Sequence, residues 1–285
     1  MATRHLLSIP LILLSLIAPD MALRWDLAIF LLGTGTLGML HGALDHHVAF
    51  KVDSGGWSQF LARYLGVMAA YALVWWMLPW LGLILFLGLT VWHFGQGDTA
   101  HLQSRAPRVL AVTRSLAVLG VLFGVNLDEA MAIVSPVLMM SVPAWIGPAA
   151  AIGGVLTHGL TVLRTTDAPG KELFDVAWLT VLFLQVPLLT GFTAYFVLWH
   201  SAGHLRELQS FLELPSLWDV IKKGIPMTVA AWIGIVGVWF WVGSSLLPSH
   251  WILYGFIAIS LLTLPHMILV DRMLTYPAHS LRKAE

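Results

Sequence analysis

The residues with most to offer chemically are imidazoles and carboxylates set inside apolar sequence. Four short islands hold most of them. The first is His41-Gly42-Ala43-Leu44-Asp45-His46-His47, and the second is Trp92-His93-Phe94-Gly95-Gln96-Gly97-Asp98. The third is Trp199-His200-Ser201-Ala202-Gly203-His204, and the fourth is Pro265-His266 with Asp271 five residues on. A neutral imidazole suits Fe, Zn, Cu or Ni. A nearby carboxylate can orient a ligating ring through its second nitrogen. The chain has no Cys, which excludes thiolate sites, Fe–S clusters, disulfides and thiol nucleophiles. Any transition metal must therefore sit on His, Asp, Glu or Met. Spacing inside the islands is helical. His200 and His204 are an i,i+4 pair, as are His41 and Asp45, and such pairs share a helix face. Small residues (Gly42, Ala43, Gly95, Gly97, Ala202, Gly203) flank the histidines and leave room for close helix approach and a ligand.

Plainer readings stand beside each of these. His158 has no partner island and reads as a hydrogen-bonded packing residue. His5, His101, His250 and His279 lie near interfaces and read as solvated. His46 and His47 mark a helix end. Asp98 and Asp271 either support ligands or cap helices. Among the aromatics, Trp92 and Trp199 each precede an island histidine and are candidates for lining a cavity, with Phe94 beside them.

The elements that must carry these residues are membrane helices. The 285 residues are 58% apolar and 11% charged, with mean hydropathy +0.83. Soluble domains are about 25% charged, so lipid is the expected solvent. Apolar runs of about 20 residues, enough to cross a bilayer, follow one another along the chain. The expected fold is an all-α polytopic transmembrane bundle in a single domain, 1–285. Its ten spans are expected near 6–23, 26–47, 59–78, 80–97, 108–126, 145–164, 173–188, 191–212, 225–246 and 251–273. Residues 129–141 are too short to cross and are expected to form an interfacial or half-helix. The first span is read as retained rather than as a cleaved signal.

Charge supports this count. Of the 15 Lys and Arg, all but Arg24 fall on one side when ten spans alternate. That is the positive-inside pattern, and it places both termini in the cytoplasm. Each island then lies toward the C-terminal end of an even-numbered span, at the cytoplasmic face. His200 is six residues before Arg206, and His266 is six before Arg272. At the helical rise, both sit about 9 Å inside the first interfacial charge. Islands spread along the whole chain thus converge on one layer, which points to a histidine-bound metal.

In motif order and spacing the four islands resemble the bacteriorhodopsin-related-protein/Blh family, over essentially the whole chain. These are bacterial and archaeal membrane β-carotene 15,15′-dioxygenases. The resemblance implies cleavage of the central double bond of β-carotene by O₂ at non-haem Fe(II), giving two retinal molecules. Retinal of this kind typically serves a microbial rhodopsin. The family's metal histidines correspond to His41, His93, His200 and His204. His266 is a fifth ligand or a supporting residue, and Asp45 matches the acidic position of the first motif and is the candidate catalytic residue. Trp92, Phe94 and Trp199 are the candidate substrate-lining residues. Other readings fit the residues alone: a different membrane histidine-cluster iron oxygenase of desaturase or hydroxylase type, a bis-histidine haem protein, or a His/Asp proton-coupled transporter. No nucleic-acid partner is expected.

Overall fold

A computed structural model describes residues 2–53, 55–242 and 248–276. His279, Arg282 and Lys283 lie outside the described residues, as does the side chain of His250. The chain is all-helical, and an isolated antiparallel bridge joins Ser104 to Thr166. In order, it forms α1 (Ala2–Ile17), α2 (Pro19–Gly33), a first π-helical segment (Thr34–Gly38), α3 (Asp45–Val52), α4 (Trp57–Met77) and α5 (Pro79–Thr99). Then come α6 (Pro107–Val125), α7 (Leu127–Leu138), α8 (Ile146–Thr165), α9 (Pro169–Gln185) and α10 (Leu188–Tyr195). A second π-helical segment (Phe196–Ser201), α11 (Ala202–Phe211), α12 (Leu217–Val242) and α13 (Pro248–Thr275) complete it.

Proline sets many of the helix starts. Pro19, Pro107 and Pro169 stand in the first turn of α2, α6 and α9, where a missing N–H costs nothing. Side-chain caps are replaced at α10 by carboxylates from elsewhere. Asp26 Oδ1 accepts the Thr190 N–H at 2.6 Å, and Glu129 Oε2 accepts the Leu188 N–H at 3.1 Å. Both anions sit at the positive end of a helix dipole.

Six described helices are long and apolar enough to cross a membrane: α4, α5, α6, α8, α12 and α13. The protein is a membrane protein. The sequence led to about ten crossings, and the difference has a local cause. Two expected spans are divided by the π segments, and two others correspond to α1 with 16 residues and α9 with 17. The short stretch 129–141 is α7, of 12 residues, ended by Met139 at φ 51°.

The chain divides into two compact units. The first comprises residues 1–38 and 90–203. Its tightest seam is α6 against α8, where small residues let backbones meet. A Cβ added at Gly120 would lie 2.8 Å from the Ala150 carbonyl oxygen, and one at Gly154 would lie 2.6 Å from that of Leu116. The two π segments also pack together. A Cβ at Gly38 would meet the Phe196 ring at 2.6 Å. Thr34 returns its hydroxyl to the Phe30 carbonyl, a bond that bends helices.

The second unit comprises residues 39–89 and 204–285. Its core gathers Leu44, Val48, Phe60, Leu208, Phe211 and Met273. At its rim, Lys51 donates to the Phe211 carbonyl at 2.6 Å. Arg63 and Arg272 share Asp53 Oδ2, at 2.9 and 2.7 Å.

Candidate metal centre

Each unit carries its own group of buried histidines. In the second unit, His41, His204 and His266 face one another edge-on. Ring centroids are 5.6 Å apart for His41–His204, 4.9 Å for His41–His266 and 5.4 Å for His204–His266. All three are buried. His41 follows directly on Leu40, where the long helix stops, and residues 41–44 form a turn before α3. The expected helical pairing of His41 with Asp45 is therefore not made. Asp45 begins α3 and accepts the His266 Nδ1–H at 2.7 Å instead. That bond leaves the lone pair of His266 on Nε2, the tautomer a metal ligand needs. Tyr64 donates to the other carboxylate oxygen of Asp45 at 2.9 Å. Glu207 places Oε2 3.8 Å from His204 Nδ1.

In the first unit, His93 and His200 bring their Nε2 atoms to 3.2 Å. Two imidazole nitrogens bound to one ion at about 2.1 Å lie roughly 3.0 to 3.4 Å apart in octahedral or tetrahedral geometry. The spacing fits cis ligands of one metal. Asp98 Oδ1 stands 3.4 Å from His200 Nδ1. Phe94 packs its ring 4.3 Å from that of His200. Gly97 leaves the space that His200 fills, since a Cβ there would come within 3.3 Å of the imidazole. The donor set is all neutral imidazole with carboxylates behind it, which suits iron and its first-row neighbours.

The other expected residues fall as follows. Trp92 is half-buried. Trp199 is buried, with its indole N–H directed at both oxygens of Asp175 at 3.0 Å. His46 stacks on Trp57 at 4.9 Å, in an aromatic nest with Phe50 and Phe60. His158 is the packing residue anticipated, between Thr113 at 3.2 Å and Glu172 at 3.0 Å. His101 is exposed. His5 is not solvated as expected. It is buried against Asp175 at 3.0 Å.

The sequence reading missed a buried ion cluster in the first unit. Arg114, counted above among loop charges, is 2% exposed inside α6. It donates to Glu172 at 2.8 Å and Asp175 at 2.9 Å, with Nε 3.7 Å from Asp98. The signal was available, because Arg114 lies seven residues inside the apolar run that begins at Pro107. An intramembrane arginine calls for partners by default. Tyr64 was missed for want of any local signal.

The second unit also holds a largely apolar crevice of about 240 Å³. Phe60, Val67, Ile268 and Leu269 wall it, Tyr64 lines it, and Arg63 and Arg272 stand beside them.

The fold and the site define an all-helical membrane protein with buried histidines that could hold a metal ion. The sequence profile of the beta-carotene 15,15′-dioxygenase family matches residues 32–274, and the chain belongs to that family. It is 28% identical over 255 residues to the beta-carotene 15,15′-dioxygenase of an uncultured marine bacterium, 66A03, covering 82% of this chain and 89% of that protein. It is 27% identical over 288 residues to the probable beta-carotene 15,15′-dioxygenase Blh of Halobacterium salinarum, covering 83% and 81%. No solved structure matches.

Proposed function

We propose that the protein is a β-carotene 15,15′-dioxygenase whose iron is held by His41, His93, His200, His204 and His266. The observation that carries this reading is the presence, in each unit, of buried histidines at ligand spacing, within a chain of this family. In the overall reaction the central C=C and the O–O bond are replaced by two C=O bonds, giving two retinal molecules. Iron, when bound, supplies the activation of O₂ that the spin-forbidden reaction requires. The chain's own residues do the rest. Asp45 fixes the His266 ring, and Tyr64 fixes Asp45. Phe94 buttresses His200. The all-imidazole set adds no ligand charge to the cation.

Selecting one double bond among many similar ones is a matter of positioning. Apolar walls such as those of the crevice by Tyr64 suit one end of a hydrocarbon polyene. Trp92 and Phe94 are candidates for further contacts, whereas Trp199 has its polar edge engaged with Asp175. β-Carotene is insoluble in water, and an enzyme embedded in lipid takes it from the bilayer without an aqueous step. Ten crossings with both termini cytoplasmic, and delivery of retinal to a rhodopsin, complete the reading. Counting each π segment with its neighbours restores two unbroken helical runs, 19–40 and 188–211, which favours the higher count.

The test is a set of single variants. His41→Ala, His93→Ala, His200→Ala, His204→Ala and His266→Ala should each lower bound iron and abolish retinal formation. Full activity in any one removes that residue from the ligand set. Two iron atoms per chain would favour a di-iron oxygenase instead.

A further inference from the structure

We propose that Arg114 is a positioning residue for His200, acting through Asp98 and Asp175, and that the first helix completes the cluster that Arg114 organises. This rests on the reading of His200 as an iron ligand. Arg114 is fully enclosed in α6, and an arginine at that depth is expensive unless it is paired. Its three nitrogens face three carboxylates: Glu172 at 2.8 Å, Asp175 at 2.9 Å and Asp98 at 3.7 Å. The guanidinium is a rigid planar fork, so it dictates where those carboxylates stand. Two of them grip the chain just ahead of His200. Asp98 accepts the Tyr195 hydroxyl at 2.8 Å and lies 3.4 Å from His200 Nδ1. Asp175 takes the Trp199 indole N–H. Tyr195, Trp199 and His200 thus hang on two carboxylates that one guanidinium bridges. Trp199 and His200 lie where the chain winds as a π-helix, which starts directly after Tyr195, and such segments are frequent at functional sites.

Arg114 alone leaves three carboxylates under-compensated. Arg4 Nη2 reaches Asp175 Oδ1 at 2.8 Å, and His5 Nε2 reaches the same oxygen at 3.0 Å. Arg4 also stacks over the Trp199 ring at 5.4 Å, and His5 meets that ring edge-on at 5.6 Å. The first helix therefore presses on the residue directly before His200. Both residues lie ahead of the segment matched by the family profile, 32–274.

The test uses full-length protein in detergent, stripped of metal. Fe(II) is titrated back, and the electron paramagnetic resonance spectrum of the nitric oxide adduct is recorded. Asp98→Asn and Arg114→Lys should each weaken Fe(II) binding about 10- to 100-fold and change the spectrum. Lysine keeps the charge but cannot hold three carboxylates. Arg4→Gln should do the same to a smaller degree. The Asp98→Asn/Arg114→Lys double variant should lose less than the product of the single losses, because both act on one ring. Wild-type affinity and spectrum in folded Arg114→Lys and Asp98→Asn would make the cluster a helix clamp only and overturn the proposal. Multiplying losses in the double variant would overturn it too. Should Arg114→Lys fail to fold, wild-type iron binding in both Asp98→Asn and Arg4→Gln has the same force. A wild-type protein that takes up no iron sinks the proposed function itself.

Discussion

Asp45 shows how a single side chain ties sequence to chemistry. Its carboxylate lies between Tyr64 and His266, at 2.9 and 2.7 Å. Removing such an outer partner costs a metal site about 10- to 100-fold in affinity or activity. Asp45→Ala is expected to fall in that range, measured as Fe(II) affinity. Tyr64→Phe keeps the ring and loses one hydrogen bond, worth about 1.5 to 3 kcal/mol at a charged acceptor. Its loss of iron should be smaller and in the same direction. His101→Ala, at an exposed position, should leave iron content and retinal yield unchanged.

Helices and turns decide which of these partnerships form. The helix ahead of His41 stops at Leu40, and the turn at 41–44 re-aims Asp45 from the i,i+4 position toward α13. The islands themselves were legible in the sequence because buried polar residues stand out in apolar runs. The helix ends were legible because proline marks them. The partners of the islands were not, since Tyr64 and Arg114 meet their carboxylates across long sequence separations. The π segments were hidden as well. They differ from α-helix by one register step, and hydropathy does not register that. Close helix contacts give a test at this scale. A Cβ at Gly95 would run into the Ala111 backbone carbonyl, and overpacking of this kind costs about 1–3 kcal/mol. Gly95→Ala should therefore lower thermal stability and, by shifting the turn that bears His93, weaken iron binding. Gly153→Ala, with nothing within 4 Å, should hold or slightly raise the melting temperature.

On the scale of the whole molecule, lipid is the solvent that makes the composition intelligible. With 11% charged residues, few ionised groups need hiding, and Arg114 with its carboxylates is hidden as a set. Sidedness can be measured because the chain has no Cys. Single cysteines at Met139 and at Asp167, both exposed, should react differently with an impermeant maleimide in intact cells. Met139→Cys is expected to label from outside and Asp167→Cys only after permeabilisation. The reverse pattern would invert the orientation.

The central claim is carotenoid cleavage, and cells that make β-carotene test it most directly. Expressed there, the protein should bleach the orange colour and yield two retinal molecules per β-carotene lost, in a manner that requires iron and oxygen. Unchanged β-carotene in cells holding folded, iron-loaded protein would contradict it.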